Sequence, residues 1–263
     1  MTAFVRPRPV ADPAVRLVVF HHAGGSAAAY FPLTRCVPAD WDVLLLDLPG
    51  RGKRHARPAL ESIAELAAVA TADVLPWCDG APLALFGHSL GAVVAYETAR
   101  ALEAAGRPAA WLGVSGRAAP GQPVRAALPG EELSDGELMT QLTRMGGMHP
   151  RAGELPDFRA RFLPLVRSDL RAVAGYRPDP RRAPIGSPLT AFGAVDDVWA
   201  PPASLAPWSR ETRGPFRRRT FTGGHFHFLG PAFADFTAEL VEEIRQAVRP
   251  ARTDRPALVR EPV

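Results

Sequence analysis

Lysine is nearly missing from this chain. Lys53 is the only one among 31 basic residues, which leaves 30 arginines (31 − 1). Cysteine is almost as scarce: Cys36 and Cys78 stand far apart, with no metal-ligand spacing. That excludes a disulfide framework and a zinc-ribbon pattern, and it points to a reducing cytoplasm with no metal. No apolar run approaches the ~18 residues a membrane span requires. The opening residues Met1 to Pro7 lack the continuous apolar stretch of a secretory signal. The net charge of +4 would suit nucleic acid, but the arginines are scattered, with short clusters such as Arg217-Arg218-Arg219 and no interleaved aromatics. With Ala, Pro and Gly abundant, they read as the solvated surface of a protein from a GC-rich gene. Neither nucleic acid nor membrane is expected as a partner.

What is present is enough apolar residue, 47% of 263, for a sizeable core. Val15 to Phe20, Val43 to Asp47, Pro82 to Leu85, Trp111 to Ser115, Leu189 to Gly193 and Phe216 to Phe221 read as short buried strands. Between them lie helical patterns. Ser62-x-x-Glu65 has the form of a capping box, ahead of Ile63, Leu66, Ala70 and Val74. A helix from Ala92 should end near Gly106, and Pro231 to Val248 should form a closing amphipathic helix. Strands alternating with helices predict a mostly parallel, doubly wound α/β sheet with its active groups at the strands' carboxyl ends. The alternation breaks between about 117 and 188. There Ser134-x-x-Glu137 caps one helix and Pro164 should break or restart another, so this stretch reads as a helical lid inserted over the site. One domain over residues 1–248 is expected, followed by a disordered Arg/Pro-rich tail, 249–263.

Gly87-His88-Ser89-Leu90-Gly91 sits between the third of the parallel strands and its helix. That context is the nucleophile elbow of an α/β-hydrolase, in which a strained turn lifts the serine hydroxyl above the sheet. Serine, acid and histidine follow in that chain order. His225 comes directly after Gly223-Gly224, between the last strand and the last helix, where the base belongs; His227 is the alternative. The acid should follow the penultimate strand, where Asp196 and Asp197 compete. Gly193-x-x-Asp196 matches the bare pattern, while Asp197-x-x-x-Pro201 matches the usual loop beyond the acid better. The two oxyanion donors should be the backbone N–H of Leu90, after the nucleophile, and of Ala23, in the loop after the first core strand. Loss of one such donor typically costs ~10²–10³ in rate.

Taken together, His22-Ala23-Gly24-Gly25-Ser26, Leu48-Pro49-Gly50-Arg51-Gly52, Gly87 to Ala92 with Tyr96-Glu97, and Gly223-Gly224-His225-Phe226 with Phe228-Leu229 resemble the type II thioesterases. These are the free-standing editing enzymes of polyketide and nonribosomal peptide assembly lines. The resemblance runs from about residue 15 to 245. Trp208, eleven residues past Asp197, also fits it and favours Asp197 over Asp196. His21 and His227 depart from the pattern, standing where proline and an aromatic are common. The resemblance implies a cytoplasmic monomer without a cofactor that hydrolyses acyl groups from the phosphopantetheine arm of acyl or peptidyl carrier proteins. A general carboxylesterase or lipase would share the Ser89, Asp197, His225 triad, and a non-catalytic ligand-binding protein on this fold is a third reading.

Overall fold

The computed structural model describes residues 3–122, 133–147 and 155–249. The tail beyond Arg249 and His149 of the expected lid lie outside the described residues. Seven strands form one sheet: β1 (Phe4–Val5), β2 (Val15–Phe20), β3 (Trp41–Leu46), β4 (Leu83–His88), β5 (Trp111–Ser115), β6 (Leu189–Ala194) and β7 (Phe216–Phe221). Their order across the sheet is β1-β3-β2-β4-β5-β6-β7. Only the two-residue β1 runs antiparallel, pairing Phe4 with Leu46. This is the α/β-hydrolase architecture the strand–helix alternation predicts.

The near-continuous apolar strands follow from burial on both faces. Because side chains alternate along a strand, each strand feeds two cores. Val18, Phe20, Leu44, Leu46, Leu85, Leu112 and Val114 pack against α2 (Ile63–Val74) and α3 (Leu90–Ala104). Leu17, Val19, Val43, Leu45, Phe86 and Phe192 point the other way, onto α6 (Phe233–Val248) through Phe233, Phe236, Leu240 and Ile244. Burying one side chain such as Phe236 contributes roughly 1.5–3 kcal/mol. At the edge, β7 presents Arg217, Arg218 and Arg219, and charge on an edge strand discourages pairing with another chain.

The strand order reverses direction about β2. The chain passes from β2 to β3 on one side, then crosses to β4 on the other. Phe20 is level with Leu46 of β3 and Gly87 of β4, so three strands end together. A crevice at such a switch point is where open α/β sheets bind ligands.

Two local expectations fail. Ser62 does precede α2, but its side chain makes no capping hydrogen bond, so no capping box forms there. Ser134 does form one with Glu137, at the start of α4 (Asp135–Arg144). Pro164 does not break its segment either: α5 runs unbroken from Pro156 to Gly175. One internal proline removes a single helix hydrogen bond. Leu163 and Val166, buried beside it against Leu138 and Met139 of α4, hold the helix across that gap.

Candidate active site

Ser89 follows the last residue of β4 and precedes the first of α3. Its φ of +56° is the only left-handed value at a non-glycine position among the described residues. Such a conformation costs of order 1–3 kcal/mol and persists where surrounding packing dictates it. The flanking glycines show how. A Cβ on Gly87 would lie 2.1 Å from the Gly91 carbonyl oxygen, and one on Gly91 would lie 2.3 Å from the Phe20 carbonyl oxygen. The elbow therefore presses α3 onto the end of β2, and Ser89 N–H is tied to the Ser115 carbonyl at 2.8 Å.

His225 and Asp197 reach the same end of the sheet from the loops after β7 and β6. His225 Nδ1–H donates to Asp197 Oδ2 at 2.9 Å, with both residues buried. The other carboxylate oxygen accepts Trp199 N–H at 2.9 Å and Ala200 N–H at 3.1 Å. Burial raises the Asp197 pKa, but the His225 hydrogen bond and charge and these two amides together outweigh it, and the carboxyl sits below its ordinary range. Asp196 is exposed, and its backbone N–H bonds the Gly223 carbonyl at 3.0 Å. The hydrogen bond to the histidine thus runs through Asp197, the second of the two neighbours.

Four other histidines, His21, His22, His88 and His227, are buried and held neutral. His227 stacks on Phe221 with centroids 5.2 Å apart, and neither of its ring nitrogens has a hydrogen-bond partner. Burial pushes its pKa down to about 4. His88 packs 4.8 Å from the His225 ring, its Nδ1 lying 3.0 Å from Ser115 Oγ. Burial first, then the charge of His225, lowers its pKa well below the usual value. His21 Nδ1–H donates to the His22 carbonyl at 2.9 Å, while Nε2 faces Leu48 N–H at 3.4 Å. Burial pushes His22 down to about 3, helped by the charges of His225 and Arg51.

Neither Ala23 N–H nor Leu90 N–H donates to any described residue. Leu90 opens α3, so its amide has no partner within the helix and contributes to the positive end of the helix dipole. The loop bearing Ala23 is fixed from an unforeseen direction. Gly24 N–H donates to Asp169 Oδ2 of α5 at 2.7 Å. Arg51 grips the same carboxylate with both guanidinium ends, at 2.6 and 2.9 Å. Sequence reasoning missed this triad of contacts. A hint was available: Asp169 falls among Val166, Leu170 and Val173 on the apolar face of its helix, where a carboxylate needs a partner.

Ser89, Ala23 and His225 line one cavity of about 280 Å³. Its wall is largely apolar, formed by Leu142 and Met145 from the end of α4 and by Phe158, Phe162 and Leu170 of α5. A nucleophile, a base oriented by a carboxylate and two free amides beside an apolar chamber can attack an acyl carbonyl and hold the acyl chain. Among the described residues no group of His, Cys, Asp and Glu is arranged to hold a metal ion, and no helix is long and apolar enough to cross a membrane.

The thioesterase-domain family model matches residues 15–247. The chain belongs to the thioesterase family. Thioesterase PikA5 of Streptomyces venezuelae is 39% identical over 224 residues, covering 84% of this chain and 78% of its own length. RedJ, a thioesterase from the prodiginine biosynthetic pathway of Streptomyces coelicolor, superposes with a TM-score of 0.78 at 36% identity, over 90% of this chain and 91% of RedJ. BorB, the type II thioesterase of the borrelidin biosynthetic cluster, gives a TM-score of 0.79 at 36% identity, over 92% of this chain and 96% of BorB. As a family member the chain is a hydrolase of thioesters, in the type II group of polyketide and nonribosomal peptide biosynthesis.

Proposed function

We propose that this thioesterase clears acyl groups from phosphopantetheinyl carrier proteins of an assembly line, with Ser89, His225 and Asp197 as its triad and Ala23 and Leu90 as its oxyanion hole. The observation that carries the reading is the cavity in which Ser89 and His225 face an apolar chamber beneath α4 and α5. Ser89 Oγ attacks the thioester carbonyl as His225 Nε2 takes its proton. The oxyanion is held by the Ala23 and Leu90 amides. The C–S bond then breaks and His225 returns the proton to the departing thiolate, an easy leaving group with a thiol pKa of about 8.5. Water, deprotonated by His225, opens the acyl-enzyme, and Ser89 regains its proton as the carboxylic acid leaves. Asp197 holds the His225 ring and balances its charge without taking the proton. No step calls for a cofactor.

The segment between β5 and β6, about residues 117 to 188, acts in this reading as a lid on a single domain of residues 1–248. The enzyme works as a cytoplasmic monomer that meets its acidic carrier partners through an arginine-rich surface, which speeds encounter more than it tightens binding. The test compares one acyl group on a carrier protein, on pantetheine and as a matched oxyester, at low and high salt. The carrier thioester should show the highest kcat/KM, with its advantage narrowing as salt screens the surface. Equal rates on carrier and pantetheine with a preference for the oxyester would hand the chain to the esterase reading. Failure of a fluorophosphonate to label Ser89 would favour a non-catalytic binder.

A further inference from the structure

Arg117 stands one residue beyond Gly116, where an added Cβ would lie 3.2 Å from His225 Cε1. Its backbone is fixed beside the triad, because its carbonyl accepts Trp208 Nε1–H at 2.8 Å. Its side chain is partly buried and makes no hydrogen bond or ion pair with any described residue. The other enclosed arginines behave differently: Arg51 pairs with Asp169, Arg54 with Asp73 and Arg182 with Glu211. Arg117, Ala118, Val173 and Ala174 line both the catalytic cavity and a second one of about 460 Å³ beside it. Among the described residues no counter-charge lines it. Tyr176, on the wall of the second cavity, donates its hydroxyl proton to Glu97, and Glu97 already holds Arg100 at 2.7 Å. Burial pulls the Arg117 pKa down, yet an arginine stays charged throughout the pH range of proteins.

A guanidinium lining a largely apolar chamber, with no anion beside it among the described residues, has its charge and donors free for a ligand, and its five donors suit a planar pair of oxygens. We propose that Arg117 is a receptor for an anionic oxygen group of the substrate, so that the acyl chamber takes short carboxylated acyl thioesters as well as uncharged ones. The proposal rests on the thioesterase reading above. Two anions could supply the oxygens, a carboxylate on the acyl chain or the phosphate of the carrier arm. The acyl carboxylate fits better, since Arg117 adjoins the triad and the phosphate lies a whole pantetheine away from the thioester.

The experiment measures kcat/KM for malonyl, succinyl and glutaryl pantetheine against uncharged acyl groups of matched length, with and without the arm phosphate. It uses wild type, Arg117→Met, Arg117→Gln and Arg117→Lys. Affinities of the same thioesters for Ser89→Ala protein, with Arg117 intact, supply a readout free of turnover. A lost hydrogen bond to a charged partner corresponds to about ten- to hundred-fold. The carboxylated-to-uncharged ratio should fall by that factor in Arg117→Met and Arg117→Gln and recover in part in Arg117→Lys, whose point charge lacks the fork. In the Ser89→Ala protein at least one carboxylated thioester should bind tighter than its uncharged match. A parallel loss in both series, a loss that follows the arm phosphate, or equal affinities in the Ser89→Ala protein would overturn the proposal. Absence of any turnover by wild type would instead sink the thioesterase reading, while the affinities still decide the role of Arg117.

Discussion

Asp169 of α5 accepts the Gly24 amide at 2.7 Å while buried against Arg51, so a helix of the insertion holds the loop that carries the Ala23 amide. Asp169→Ala should therefore do two separable things. Leaving Arg51 buried and unpaired should cost about 3–5 kcal/mol of stability. Loosening the loop should lower kcat. The double variant Arg51→Met/Asp169→Leu removes both charges and should recover much of the stability, though not the turnover, because Gly24 N–H still lacks its acceptor. Denaturant melts and kcat on one acyl-pantetheine check this; turnover returning together with stability would show that Asp169 only holds the fold.

Ser89→Ala should abolish thioester hydrolysis with the fold intact. Loss of the nucleophile in a comparable triad costs on the order of 10⁶ in kcat. Alanine leaves the strained φ in place, so the melting temperature should barely change. Steady-state turnover beside a circular-dichroism melt is the check.

Asp197→Asn should lower kcat by about 10⁴, since an amide in place of the carboxylate favours the wrong His225 tautomer. Asp196→Asn, at an exposed neighbour, should leave turnover within a few-fold of wild type. The reverse ranking would move the acid to Asp196.

His227 makes stability depend on pH. Its folded pKa of about 4 lies below the unfolded value of 6.5, so the unfolded chain binds the extra proton first. Stability is therefore lost as pH falls from 6.5 towards 4, and at pH 5 this one ring accounts for about 2 kcal/mol of that loss. His227→Phe keeps the stack on Phe221 and removes two unpaired nitrogens. Chemical denaturation at about pH 7.5 and pH 5 should show a smaller drop for the variant than for wild type. An equal drop would place the acid sensitivity elsewhere, with His22 the next ring to test.

The strands, the elbow and the His225 loop were legible because each depends on short-range pattern. Alternation along β2 and β4 reports two buried faces, and Gly87 and Gly91 report a backbone contact no Cβ could share. Asp196 and Asp197 differ by one position in a loop with no periodicity, so spacing favoured Asp197 without excluding its neighbour; the fold buries Asp197 and exposes Asp196. The Arg51–Asp169 pair joins residues 118 apart in the chain, a separation no local motif spans. Pro164 misled for the opposite reason. The local rule against proline in helices is sound, but tertiary packing of Leu163 and Val166 overrode it.

Much of the chamber's apolar wall comes from a different stretch of chain than the proposed triad and oxyanion amides. Leu142, Met145, Phe158, Phe162 and Leu170 belong to one insertion between β5 and β6, whereas Ser89, Asp197, His225 and the amides of Ala23 and Leu90 lie outside it. Substitutions in that insertion can thus change which acyl chain fits while leaving the proposed reacting groups in place. Asp169 is the exception, the point at which the insertion must still meet the loop that bears Ala23. An insertion borrowed from a relative should bring its own acyl preference, provided it also brings an aspartate to meet Arg51 and Gly24.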